Sequence, residues 1–222
     1  MRRVLNIHSG YDASRSDWRA FLHAWHDAPK EYPDASIFNV LDLQRGTPEA
    51  DIAALQERLQ LRLPPSFVDF LRVARVDAAR YETEDYGLYP LDKIDYFQNT
   101  DPEWFNVLKK NEWPVDETPD SDYFVYGEEQ SDIDYKSEFL EGFLAIGIHC
   151  PDDCLILNSH VQTSDGEFEC ILLNEVTSFR TLSFAAMMRA LCVYECQDVE
   201  CYPPYEDARM NSGIPALIAS GR

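Results

Sequence analysis

Residues 143–173 read FLAIGIHCPDDCLILNSHVQTSDGEFECILL. Three apolar runs stand inside this stretch: Phe143 to Ile148, Cys154 to Asn158 and Phe168 to Leu173. Each reads as a β-strand. Pro151, Asp152 and Asp153 punctuate the first connection. Ser164-Asp165-Gly166 in the second is a hairpin signal, because glycine accepts the backbone that a tight turn imposes. Strands that follow one another through such connections form a meander.

Outward from the meander the pattern alternates between short strands and helices. Leu88 to Leu91 and Ile94 to Phe97 read as a strand and a following turn or edge, Trp104 to Lys110 as a short helix, and Ser121 to Tyr126, which alternates, as a strand. On the C-terminal side, Thr181 or Ser183 caps a helix from Phe184 to about Glu195 that buries Met187, Met188, Leu191 and Tyr194. Toward the N-terminus, Gly46-Thr47-Pro48-Glu49 starts a helix, with Thr47 as N-cap, Pro48 at the first position, and Ile52, Leu55 and Leu59 on one face. Leu63-Pro64-Pro65-Ser66 breaks it, and Ser66 caps a second helix from Phe67 to about Val73. Ile37 to Leu43 alternates weakly as a short strand. Ser14 to Asp27 carries Trp18, Phe21, Leu22 and Trp25 on one helical stripe, with Ser14 or Ser16 as cap and Pro29 and Pro33 as terminators. The tail after Cys201 is rich in proline and reads as irregular, with an apolar packing segment at Ile214 to Ile218.

The fold class that follows is α+β: a mainly antiparallel sheet packed with helices, preceded by an N-terminal helical extension. The expected organisation is an extension over residues 1–46, a domain over 47–200 and a tail over 201–222. The 222 residues suit one large domain, and an apolar content of 45 % with 13 % aromatics is enough for a sizeable core.

Forty acidic residues against 19 basic ones give a formal charge of −21. This excludes the basic footprint of direct nucleic-acid binding and disfavours docking on an anionic membrane. It favours a basic partner, attracted over long range and less so as salt rises. The acids cluster. Between Asn111 and Gly142 they are Glu112, Asp116, Glu117, Asp120, Asp122, Glu128, Glu129, Asp132, Asp134, Glu138 and Glu141, and the only base is Lys136. Glu82, Glu84 and Asp85 form a second group, and a third runs from Glu195 to Asp207.

Catalytic signatures are absent: the sequence has no P-loop, GxGxxG, HExxH or GxSxG. Asp132-x-Asp134 lacks the glycine of a calcium loop, with Ser137 in its place. His149-Cys150 and Cys154 lack the fourth ligand and tighter spacing of a zinc site. His23 and His26 face solvent or pack beside tryptophan. Cys150, Cys154, Cys170, Cys192, Cys196 and Cys201 read as reduced thiols in a cytosolic chain, since the short run Val4-Leu5-Asn6-Ile7 is no secretory core and no window approaches a membrane span. No catalytic residue, metal ligand or cofactor is expected. Trp104, Trp113, Tyr123, Phe124 and Tyr126 either pack in the core or anchor an interface with a basic, partly apolar face.

Four blocks in order resemble the SUKH superfamily, which includes the yeast Smi/Knr cell-wall regulator and many bacterial immunity proteins. They are Ile52 to Glu57 with Leu63-Pro64-Pro65-Ser66-Phe67; Leu88-Tyr89-Pro90-Leu91-Asp92-Lys93-Ile94; Tyr123 to Gln130 with Phe143 to Gly147 and Leu155 to Asn158; and Asp165-Gly166-Glu167-Phe168-Glu169 with Ser183 to Met188. The likeness spans roughly Thr47 to Leu191. One departure is that Arg75-Val76-Asp77-Ala78-Ala79 stands where the family has Asn-Gly-Gly.

The resemblance implies a compact α+β domain without catalysis, and a cytosolic antidote that binds a secreted toxin. The acidity fits: a nuclease toxin is basic where it grips phosphates, and an acidic inhibitor mimics that polyanion. The expected contact surface is Glu117, Asp120, Asp122, Glu128, Glu129, Asp132 and Asp134, with Trp113, Tyr126, Glu82, Glu84 and Asp85. The expected partner is a protein toxin, with no direct contact to nucleic acid or membrane and a monomer when free. The alternative is a regulatory or scaffolding module for an endogenous protein.

Overall fold

A computed structural model describes residues 2–28, 36–82, 86–110, 118–127, 130, 135–150, 153–174 and 179–196. In chain order it begins with β1 (Arg3–Val4), α1 (Arg15–Asp27), a 3-10 turn (Ile37–Val40), β2 (Leu41–Asp42), α2 (Glu49–Leu59), α3 (Pro65–Leu71), β3 (Arg75–Val76) and α4 (Ala78–Tyr81). It continues with β4 (Gly87–Leu88), β5 (Asp95–Tyr96), α5 (Phe97–Thr100), α6 (Pro102–Lys110), α7 (Asp120–Tyr123) and another 3-10 turn (Ser137–Gly142). It closes with β6 (Phe143–Cys150), β7 (Asp153–Gln162), β8 (Phe168–Leu173), β9 (Phe179–Thr181) and α8 (Phe184–Cys196).

The meander is the backbone of the fold. The main sheet runs β4-β6-β7-β8-β9, with β5 also on β6 and β1 on β7. All its pairings are antiparallel except β1 with β7, where Arg3 faces Val161 and Val4 faces Gln162. β2 and β3 form a separate two-stranded ribbon. The α+β architecture with an N-terminal helix is thus the one read from the sequence.

Strand side chains alternate between two cores. Leu144, Ile146, Leu155, Leu157, Phe168, Cys170 and Leu172 join the side chains of α1, α2, α3 and α8. Phe143, Ala145, Cys154, Ile156, Ile171 and Leu173 join Phe97, Phe105, Leu108, Tyr123 and Phe139. A sheet covered on both faces needs apolar residues at every position, which is why these strands read as continuous apolar runs. α1 is integral to the first core: Trp18, Phe21, Leu22 and Trp25 are buried, and Trp18 meets Phe70 and Phe184 at ring distances of 5.6 and 6.0 Å.

Several local expectations change. Ser14 does cap α1, in a reciprocal box with Asp17. Pro48, not Thr47, is the N-cap of α2, and Gln60 ends that helix in the left-handed region at φ 49°. Ser66 is not a cap: α3 begins at Pro65, whose fixed φ suits the first turn, so Ser66 falls inside the helix. Ile37 to Leu43 is a 3-10 turn followed by the short β2. Ser121 to Tyr126 is not a strand. Pro119 occupies the N-cap, and Asp120 and Asp122 sit in the first turn of α7, where carboxylates favour a helix start. Ser183 caps α8 by accepting from the Ala186 amide at 3.1 Å, while Thr181 belongs to β9. Pro29, Pro33, the Tyr194 side chain and the tail 201–222 lie outside the described residues.

Candidate protein-interaction surface

Asp165-Gly166-Glu167-Phe168-Glu169 turns from the hairpin into β8, and its three carboxylates each hold a different part of the chain. Asp165 accepts from the Ser9 amide at 2.9 Å and its hydroxyl at 2.5 Å, fixing the N-terminal segment. Glu167 accepts from the Ser66 amide at 2.7 Å and hydroxyl at 2.5 Å, fixing the start of α3. Glu169 accepts from Tyr123 Oη at 3.1 Å, Tyr126 Oη at 3.0 Å and Asn158 Nδ2 at 2.8 Å, fixing the segment around α7.

Arg180 completes the Glu169 site. Its Nη1 donates to Glu169 Oε1 at 3.2 Å and to the Tyr123 carbonyl at 2.6 Å, and its guanidinium lies 4.1 Å from the Tyr123 ring centre. Both members of the Arg180–Glu169 pair are fully buried. Burial, then the Glu169 charge, pushes the phenols of Tyr123 and Tyr126 well above their ordinary range. They stay protonated and serve as donors. A buried ion pair holds its geometry only when further hydrogen bonds satisfy it, as four do here, three to Glu169 and one from Arg180 to the Tyr123 carbonyl.

Above this platform stands the described part of the acidic surface. Asp120 is bound by Arg3 and, at 2.5 Å, by Lys136 Nζ. The Lys136 hydrogen bond holds the Asp120 carboxyl below the usual carboxylate range. The Lys136 ammonium is nearly buried, so the one base in the acidic stretch is turned inward as a counterion. Asp122, Glu138 and Glu141 remain exposed, with Arg3 Nη2 3.5 Å from Glu138.

Four of the sequence-selected contact residues are therefore placed. Asp120 and Asp122 share one helical turn, and Tyr126 lies beside them with its hydroxyl on Glu169. Glu82 is exposed at the C-cap of α4, next to Tyr81, whose ring faces Tyr89 and Lys93. No described contact joins it to Asp120. Glu84, Asp85, Trp113, Glu117, Glu128, Glu129, Asp132 and Asp134 lie outside the described residues. Sequence reading missed Arg3, Glu169 and Arg180. The lone lysine in an acidic stretch was the available signal for the internal pairing.

A family model described as SMI1 / KNR4 family (SUKH-1) matches residues 46–189. The chain belongs to this family. The match opens just before α2 and closes within α8, and so takes in all three carboxylate anchors, Asp165, Glu167 and Glu169. Residues ahead of the SMI1/KNR4 match contribute β1 and α1 to the same sheet and core. No curated protein and no solved structure matches the chain.

Burial pushes the thiols of Cys154 and Cys170 far above the ordinary cysteine range, which opposes nucleophilic use. Among the described residues there is no group of three or more His, Cys, Asp or Glu placed to hold a metal, and no helix long and apolar enough to cross a membrane.

Proposed function

We propose that this SMI1/KNR4 family member is a cytosolic, non-catalytic immunity protein that binds a cognate secreted toxin through its acidic surface. The observation that carries the reading is the fate of Lys136. The stretch from Asn111 to Gly142 contains many acids and this single base, and the base is consumed internally by Asp120. Among the described residues of this stretch, Asp122, Glu138 and Glu141 are exposed, and Tyr123 and Tyr126 anchor the segment around α7 to a buried ion pair.

Such a surface suits a toxin whose active cleft is basic. Complementary fields raise association rates toward about 10⁸–10⁹ M⁻¹s⁻¹ at low salt and suppress wrong partners. The contact set is Glu117, Asp120, Asp122, Glu128, Glu129, Asp132 and Asp134, with Trp113 and Tyr126 as aromatic anchors and Glu82, Glu84 and Asp85 as a flanking group.

The test uses the protein encoded beside this gene, purified as its toxin domain. Association is followed by stopped flow across a salt series, and protection is read from growth of cells expressing the toxin. The pair Glu128→Lys with Glu129→Lys slows association at least tenfold at low salt and flattens its salt dependence. Unchanged rates in a variant with a native melting temperature would remove this interface. Failure of the neighbouring protein to bind, with a housekeeping complex recovered instead, would move the assignment to a regulatory module.

A further inference from the structure

A cleft of about 510 Å³ opens on the side of the molecule where α2, α3, the β7–β8 hairpin and the residue before β1 meet. Its charge runs against that of the chain. In a protein with 40 acids and 19 bases, three arginines, Arg2, Arg62 and Arg72, line this cleft with two aspartates, Asp69 and Asp165.

The two acids are occupied. Asp165 holds Ser9 through both oxygens. Asp69 accepts from Arg72 Nη1 at 2.9 Å and from Tyr11 Oη at 3.1 Å. Arg72 is occupied too, since its Nε and Nη2 donate to the two oxygens of Glu49 at 2.7 and 3.1 Å. Arg2 and Arg62 are different. Both are exposed, and neither has an ion-pair partner among the described residues. Arg2 is steadied by the Phe168 ring, 5.2 Å from its guanidinium carbon. Gln56 accepts the Leu63 amide through Oε1 at 3.0 Å, which leaves its NH₂ group as a further donor. Leu63, Pro65 and Val68 supply an apolar wall.

We propose that this cleft binds a small organic anion: an apolar body against Leu63, Pro65 and Val68, and a phosphate or carboxylate head held by Arg2 and Arg62. Guanidinium forks match both head groups through paired N–H donors. The volume falls within the range of small-molecule sites, roughly 300–1,000 Å³. The site is independent of the acidic surface, and each stands if the other fails.

The experiment is calorimetric titration of the full chain with phenyl phosphate, inorganic phosphate and benzyl alcohol. Phenyl phosphate binds saturably and more tightly than inorganic phosphate, and benzyl alcohol does not bind. Arg62→Gln weakens phenyl phosphate at least tenfold, the double variant with Arg2→Gln abolishes binding, and Arg80→Gln, on α4, changes nothing. In the unsubstituted chain, amide NMR shifts move at Val68 and Gly166. Absence of saturation, equal binding by the double variant, or shifts confined to other residues would overturn the site. A phosphotyrosyl pentapeptide that binds more tightly than phenyl phosphate would overturn its assignment to a free small molecule.

Discussion

Glu167 sits fully buried at the start of β8, and the two donors of Ser66 only partly offset the loss of water. Burial pushes its carboxyl up to about 7, against the lowering effect of those bonds. The folded chain therefore keeps this proton at pH values where the unfolded chain has released it. The stabilisation is complete below about pH 4, the ordinary glutamate range, and is lost as pH rises through 7. Its size is on the order of 3 kcal/mol. His160 acts in the opposite sense, because burial lowers its imidazole and stability from that group grows as pH rises. The informative quantity is thus a difference. Urea unfolding of the wild type and Glu167→Gln between pH 5 and 7.5 gives profiles that separate with rising pH, because the wild type declines as Glu167 ionises and the neutral variant loses that downward slope. Parallel profiles would show that Glu167 does not titrate in this window. Glu169, two residues on, is placed differently: it faces Arg180 and two phenols and accepts a hydrogen bond from each.

Among the elements, α1 tests how far the family domain extends. Its stripe of Trp18, Phe21, Leu22 and Trp25 packs on α3 and α8, and Trp25 Nε1 donates to Glu195 at 3.0 Å. Trp18→Ala removes a fully buried side chain together with the Nε1 bond to Tyr11 Oη at 2.8 Å, which in turn positions Asp69. The expected loss is about 3–5 kcal/mol, read from the midpoint of chemical unfolding. A loss below about 1 kcal/mol would mean that α1 is an appendage. This helix was legible because its periodicity and cap are local. So were α2, α3, α6, α8 and the three long strands, each written in neighbouring residues. α7 was misread: Ser121 to Tyr126 alternates like a strand, but Pro119 and two first-turn aspartates govern the backbone. β1 was missed for a different reason. It is two residues long, and its pairing with Val161 and Gln162 leaves no periodic trace. At the acidic surface the charge was plain in the sequence. That Lys136 and Arg3 neutralise Asp120 was not, because Arg3 arrives from more than a hundred residues away.

Over the whole molecule a charge of −21 opposes compaction. Screening by salt relieves it, so the melting temperature rises from low ionic strength to about 0.15 M sodium chloride, where the screening length is roughly 8 Å. A scanning-calorimetry series that falls over this range would show that ion pairs such as Arg72–Glu49 outweigh the net repulsion. The core itself has another consequence, set by the order in which a ribosome makes the chain. The Trp18–Phe184 contact joins α1 to α8, and β1 reaches its place only when β7 exists. At synthesis rates of about 5–20 residues per second, the aromatic stripe of α1 waits on the order of ten seconds for its last partner. During that interval two tryptophans, a phenylalanine and a leucine have no native cover from α8, which makes the nascent N-terminus a client for chaperones that shield apolar segments. Maturation of this protein is thus gated by translation of α8, and a ribosome stalled ahead of residue 184 holds a chain whose first core cannot yet close.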